Sequence, residues 1–244
     1  MSTTTEGRRR AGLAKMNLTT TRLMTAKTWE AGVMPRPYRM VQRARETDAT
    51  RRRVLTAATE LLASEDGRRF TVEEVARRAD VARQTVYYQF GSKTGLVGAL
   101  CDFLAARGGM EALPDALIMD HPLRSLEQII EIFGRFWEAD RAATRRLRAL
   151  AALDAEVGDE ISARNDRRRA VLRVALERQA ARTGTPRPDQ LRGVLDILVM
   201  LTSFEAFDTL AGERPITEAT PAITRLAALA LIPDPAADQS VPAS

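Results

Sequence analysis

The chain has 244 residues, enough for one large or two small domains with a sizeable core, and its 45% hydrophobic and 28% charged content is ordinary for a soluble globular protein. The formal charge of +5 is placed unevenly, since residues 1–47 hold ten Lys or Arg against three acids, giving +7, and leave the remainder at −2. The single cysteine, Cys101, excludes an internal disulfide and points to a reducing cytoplasm, and with the single histidine, His121, it cannot build a zinc site, so no metal and no cofactor is expected.

Residues 1–47 begin polar and threonine-rich, contain Pro35 and Pro37, and show no sustained helical stripe, which predicts a largely disordered basic tail. Such a tail can act as an arm along DNA phosphates or a minor groove. The reading preferred over such an arm is an inert extension, because Met16, Met24, Met34 and Met40 each offer another start. Beyond it, Val54, Leu55, Ala58, Leu61 and Leu62 share one face and predict a helix over Arg52–Ser64.

Thr71 and Glu74 then form a capping pair, flanked by the hydrophobic staple Phe70 and Val75. Val72, Val75, Ala76 and Ala79 repeat at helical spacing and predict a short helix that ends at Asp80-Val81. In the next short helix Val81, Val86 and Phe90 point inward. That leaves Arg83, Gln84, Thr85, Tyr88 and Gln89 for a partner. Arginine forks onto guanine, glutamine onto adenine, and hydroxyls reach phosphates. The N-terminal end of such a helix enters the major groove, so Arg83 and Gln84 are the best placed to read bases. Leu96, Val97, Leu100, Phe103 and Leu104 predict a fourth helix, stopped by Arg107-Gly108-Gly109.

From about Thr50 to Leu104 the chain resembles the DNA-binding domain of the TetR family of transcriptional regulators, on the strength of Phe70–Ala76, Val81–Phe90 and Ser92-Lys93. The resemblance implies that Arg83, Gln84 and Tyr88 lie nearest the bases, and that Thr71, Thr85, Tyr87, Gln89 and Lys93 hold phosphates. Arg51, Arg52 and Arg53 fall where the family's first helix approaches the DNA backbone. Two positions depart from the family pattern. Asp80 replaces a turn glycine, which an aspartate tolerates in the left-handed conformation, and Ala82 replaces a capping Ser or Thr, at a cost of about 1 kcal/mol. The Asp80 carboxylate is expected to substitute in part for that cap.

The second half reads as a helical body. Pro122 opens a helix carrying Leu126, Ile129, Ile130, Phe133, Phe136 and Trp137, and helices over roughly Ala142–Leu153 and Glu160–Arg182 follow. Gly184 and Pro186 close the latter. A long helix over Asp189–Ala211 and a last one from Pro221 to about Leu231 are each apolar on more than one side, so one face of each asks for a partner. The resemblance implies pairing of these two helices with their symmetry mates in a homodimer, through Leu191, Leu195, Leu198, Thr202 and Leu226. It also implies a small-molecule effector pocket among the middle helices, for which Met119, Phe133, Phe136, Trp137, Met200 and Phe207 are candidates.

Aromatic residues are scarce, Ala, Leu and Arg are abundant, and nothing reads as a β-hairpin, so the fold class is all-α. The expected organisation is a tail over 1–47, a helix-turn-helix domain over 48–107, a ligand-binding and dimerisation domain over 108–233 and a disordered end over 234–244. The apolar stretch Leu191–Leu210 is interrupted by Arg192, Asp196, Glu205 and Asp208, which suits a buried helix and not a membrane span. There is no P-loop, dinucleotide fingerprint or nucleophile elbow, so an enzyme has no catalytic set to stand on. The expected function is a cytoplasmic, ligand-responsive repressor that binds a palindromic DNA operator as a homodimer. The rival is a helical-bundle interaction module that keeps the fold without binding DNA.

Overall fold

In the computed structural model, which describes residues 36–64 and 69–232, all the regular structure is helical. The chain divides into a unit of residues 1–42 and one of residues 43–244, and the second holds everything below except the opening turns of α1. Residues 1–35 of the tail expected over 1–47, and the end expected over 234–244, lie outside the described residues.

Helix α1 (Arg36–Ala63) begins far ahead of the predicted Arg52, so residues 36–47 are helical where the sequence suggested none. Residues 41–49 are all exposed, which explains the miss: the stretch has no apolar stripe, and its helix propagates from the core-anchored turns that follow. Helix α2 (Val72–Arg78) is capped by Thr71, whose Oγ1 accepts from the Glu74 N–H at 3.2 Å. The Glu74 carboxylate turns to Arg77 Nε at 3.0 Å. Asp80 makes the turn at φ 52°, in the left-handed region expected of it. Helix α3 (Arg83–Phe90) starts at Ala82 with no side-chain cap.

Helix α4 (Lys93–Arg107) is capped by Ser92, which accepts from the Gly95 N–H at 2.9 Å. It ends where Gly108 crosses the following helical layer, and a Cβ there would lie 2.7 Å from the Phe136 backbone. The remaining elements are a 3-10 turn at Met110–Ala112, α5 (Leu113–Leu117), α6 (Pro122–Ala139), α7 (Arg141–Ala151) and α8 (Ala155–Thr183). They continue with α9 (Leu191–Leu201), α10 (Phe204–Ala211), a 3-10 turn at Ile216–Ala219 and α11 (Thr220–Ala230). At 29 residues, α8 is about 43 Å long and serves as the spine against which α4, α6, α7 and α9 pack. His121 stands at the N-cap of α6 but its side chain makes no cap bond.

Two hydrophobic cores result. The first joins Val54, Leu61, Val75, Val86, Leu96 and Leu100 of α1–α4 with Ala143 and Leu147 of α7 and Val157 of α8. The second joins Ile129 and Phe133 of α6, Leu172 and Leu176 of α8, Leu198 of α9, Phe207 of α10 and Ile223 of α11. Phe136 packs against both. Each fully buried Leu, Ile or Phe contributes about 1.5–3 kcal/mol relative to exposure, so the cores outweigh any single polar contact described below.

The predicted helix over Asp189–Ala211 is two helices, broken at Thr202-Ser203. The cause is local competition for backbone partners. Ser203 is extended, and its Oγ accepts from the Ala206 N–H at 3.2 Å, the donor that a continuous helix would give to the Thr202 carbonyl. That carbonyl accepts instead from the Trp137 indole N–H at 3.1 Å. The Ser203 N–H bonds the Met200 carbonyl at 3.1 Å, which releases the Val199 carbonyl to accept from Arg168 Nη1 at 2.6 Å.

Candidate nucleic-acid interface and adjoining cavity

Val86 fixes α3 to the first core, being only 1% exposed, and thereby turns the opposite side of the helix outward. Arg83, Gln84 and Tyr88 all lie on that side, with Tyr88 83% exposed. Thr71, Thr85, Tyr87, Gln89 and Lys93 are half-buried around it.

The outward row is held in place by weak contacts. Arg83 Nε sits 2.9 Å from Glu73 Oε1, and Arg83 Nη2 donates to the Tyr87 hydroxyl at 3.2 Å. The guanidinium lies over the Tyr87 ring, 5.2 Å from its centroid. Both partners of the Arg83–Glu73 pair are more than half exposed, so the pair is worth about 0–1 kcal/mol, whereas a bidentate arginine–guanine contact is worth about 1–3 kcal/mol.

The C-terminal end of α3 is buttressed by a residue the sequence marked only as one of a charged triplet. Arg51 Nη1 donates to the Gln89 carbonyl at 3.0 Å, and its guanidinium lies 4.5 Å from the Phe90 ring centroid. A cation at that terminus also complements the helix dipole. Lys93, expected on phosphate, pairs its ammonium with the Asp154 carboxylate at the start of α8. Beside it Thr94 Oγ1 donates to Glu156 Oε2 at 2.7 Å. Further along, Arg164 of α8 reaches the Gly98 carbonyl and Asp102 of α4, each at 2.7 Å.

A cavity of about 210 Å³ lies between α4 and the body. Cys101 and Leu104 of α4, Phe133, Phe136 and Trp137 of α6, and Leu147 of α7 supply its apolar wall. Three of the six candidate pocket residues, Phe133, Phe136 and Trp137, are thus brought together there. The other three are not. Phe207 is fully buried in the second core, Met119 lies at the surface beyond α5, and Met200 is 59% exposed on the outer side of α9. The polar wall, which includes Arg148, Arg164 and Arg168, had no sequence signal, because arginines at spacings of three and four on α8 read as a solvated face. Burial raises the Cys101 thiol to about 11, and the nearby Arg164 only partly offsets that.

The dimer-face assignment also needs correction. Leu195, Leu198 and Thr202 are buried inside the protomer, Leu198 and Thr202 completely, and Leu191 is half-buried. Thr202 is spent on the fold, since its hydroxyl donates to the Leu198 carbonyl at 2.8 Å and accepts from Arg168 Nη1 at 2.9 Å. Leu226 is exposed as expected. The stripes left outward on α9 and α11 are Ile197 with Met200 and Leu226 with Leu229.

An all-helical chain whose capped first helix, left-handed turn and outward-facing second helix occupy consecutive short segments is a helix-turn-helix protein. Residues 54–100 match the profile of the bacterial regulatory proteins of the tetR family, so this segment is similar to the N-terminal domain of that family. The chain is 35% identical over 118 residues to the HTH-type transcriptional regulator AlkX of Mycobacterium tuberculosis, a match spanning 48% of each, so about half the length of that relative is covered. The fold is similar to that of a TetR transcription regulator from Haloarcula marismortui, with a TM-score of 0.60 at 14% identity over 75% of this chain and 97% of that one. It is also similar to a TetR-like regulator from Rhodococcus sp. RHA1, with a TM-score of 0.55 at 23% identity over 73% and 93%. NalD of Pseudomonas aeruginosa, described as the secondary repressor of the MexAB-OprM multidrug efflux pump, gives 0.54 at 22% identity over 78% and 98%. Among the described residues no helix is long and apolar enough to cross a membrane.

Proposed function

We propose that the chain is a DNA-binding transcriptional regulator that acts as a homodimeric, effector-responsive repressor on a palindromic operator. The observation that carries this reading is the outward row Arg83, Gln84 and Tyr88 on α3, borne on a helix whose other side is locked into the first core. Arg83 and Gln84 read base edges, Tyr88 lies beside them, and Thr71, Thr85, Tyr87, Gln89 and Lys93 hold the flanking phosphates.

Dimerisation rests on the exposed stripes Ile197 with Met200 and Leu226 with Leu229, which a two-fold axis would bury against their own copies. Such a dimer presents two copies of α3 about 34 Å apart, one turn of DNA. Effector response rests on the cavity, because its wall includes Cys101 and Leu104 of α4, the helix that follows α3 directly. A ligand that favours a displaced α4 changes the spacing of the two recognition helices and lowers operator affinity by the coupling free energy. Repression requires nothing beyond occupancy of the operator.

Selection of bound sequences from random DNA tests the reading, since it returns operator, symmetry and half-site spacing together. A palindrome with half-sites about one helical turn apart is the expected result. Enrichment of no sequence would leave the helical-bundle interaction module in its place.

A further inference from the structure

The cavity wall carries more positive charge than the fold neutralises. Arg164 is matched by Glu160 at 2.6 Å and Asp102 at 2.7 Å, and Arg148 is matched by Glu205. Arg168 is not matched. It is 8% exposed and lines the cavity, yet among the described residues it has no carboxylate partner. Its Nη1 is held by the neutral Val199 carbonyl and Thr202 hydroxyl, which fixes the guanidinium plane, while its buried Nε has no hydrogen-bond partner at all.

A buried cation without a counter-ion is costly, and an unmatched guanidinium N–H in a cavity wall adds to the cost. Burial, and then repulsion from Arg148, push Arg168 down to about 10 against a smaller opposing pull from Glu205. The group is still charged at neutral pH. The other polar members of the wall are Asp102, which is paired to Arg164, with Thr144, Asn165 and Arg167, and the remainder is apolar, with Phe136 and Trp137 stacked at a tilt, their ring centroids 4.3 Å apart. At about 210 Å³ the space falls below the roughly 300–1,000 Å³ of drug-sized sites, which limits the occupant to a single ring or a medium-length chain.

We propose that this cavity takes a small amphipathic carboxylate, with its anionic head on Arg168 and its apolar body against Phe133, Phe136 and Trp137. The proposal rests on the effector reading above and specifies the chemistry of the effector. The helix break at Thr202-Ser203 builds the site, since it frees the carbonyls that orient both Arg168 and Trp137.

The test uses full-length protein carrying Trp29→Phe, so that the fluorescence belongs to Trp137 alone, titrated with 3-phenylpropionate, octanoate and the two corresponding amides. Each acid should bind at least about tenfold more tightly than its amide, the difference expected of a charge-assisted hydrogen bond. Arg168→Met, which keeps the side-chain volume, should bind acid and amide alike. Equal affinity for acid and amide in the protein with Arg168 intact overturns the proposal whether or not the variant folds, as does failure of both acids to bind at millimolar concentration. Repeating the titration with operator DNA separates the two readings: an acid that binds through Arg168 without changing operator affinity keeps the site and refutes the effector role.

Discussion

The ammonium of Lys93, the first residue of α4, lies against the carboxylate of Asp154, the N-cap residue of α8. The same carboxylate accepts from the Val157 N–H at 3.3 Å, so one side chain both starts α8 and holds the helix that follows α3. A DNA phosphate that takes Lys93 must displace this carboxylate. The side chains are 33% and 26% exposed and the pair is screened by solvent, so the exchange is nearly balanced.

Removing the competitor should therefore favour DNA. Asp154→Asn is expected to tighten binding to every sequence by roughly two- to fivefold, while Lys93→Ala weakens all sequences alike and lessens the salt slope by about one. Fluorescence anisotropy titrations on cognate and random duplexes at several salt concentrations measure both effects. Identical affinities for Asp154→Asn and wild type would mean that Lys93 never leaves Asp154.

The same pair sets a pH dependence of known sign. The hydrogen bond from Lys93, and then that from the Val157 N–H, hold the Asp154 carboxyl below the ordinary carboxylate range. A depressed folded value contributes stability that is present above the unfolded value of about 3.9 and is lost as pH falls through the folded one. Urea midpoints of wild type and Asp154→Asn should differ by a constant amount from neutral pH down to about 5, then converge below about 4. A difference that grows on acidification would contradict the assignment.

Arg83 tests base reading. Arg83→Ala should cost roughly 1–3 kcal/mol on the operator and relax the preference at one base position, since a bidentate contact discriminates by that amount. Glu73→Gln, which removes the partner 2.9 Å from Arg83 Nε, should change affinity by less than about 1 kcal/mol because the pair is exposed. Equal losses on cognate and random DNA for Arg83→Ala would place Arg83 on phosphate.

The apolar stripes of α9 and α11 separate folding from assembly. Met200→Glu or Leu226→Glu puts a charge on the surface and should yield folded protein that sediments as a monomer and no longer holds the operator. Leu198→Glu, at a position with 0% exposure, should lose the fold itself by burying an unpaired carboxylate. Sedimentation velocity and far-ultraviolet circular dichroism distinguish the two outcomes. A dimeric, operator-binding Met200→Glu would move the interface elsewhere.

Cys101 reports on the cavity. With its thiol pushed up to about 11 by burial, little thiolate exists at neutral pH, and the side chain is 6% exposed. Alkylation by iodoacetamide should be slow at pH 8, accelerate continuously towards pH 10, and reach the rate of a free thiol only in denaturant. Rapid labelling of native protein at pH 7 would show that the wall of α4 opens.

Helices with a clear apolar stripe were legible before any coordinates, and so was local chemistry that one residue decides. Thr71 caps α2, Asp80 takes a positive φ, and Gly184 ends α8. What escaped were choices made by distant residues. Ser203 breaks the helix because Trp137 and Arg168 claim the freed carbonyls, and neither lies near it in sequence. Periodicity shows two apolar sides on the stretch over 189–211 but not that the protomer buries most of both, with Leu195 and Leu198 of one and Val194, Leu201 and Phe204 of the other inside and Ile197 and Met200 left out. The pairing of Lys93 with Asp154 has no local signal, because 61 residues separate the two. The cavity arginines look like any solvated helix face until α4 and α6 enclose them.

Phe136 reaches both hydrophobic cores, and Ala143, Leu147 and Val157 from the second half complete the packing of the first. The recognition module is consequently not a detachable part. A fragment ending at residue 107 would bare the α4 surface that carries Leu100 and Leu104, and would lose the filling that α7 and α8 provide. Heat should melt α1–α4 in one calorimetric transition with α7 and the start of α8, because the first core has no intact interior without them. Any transfer of the helix-turn-helix of this chain to another helical body must then carry α7 and the start of α8 with it, or rebuild them.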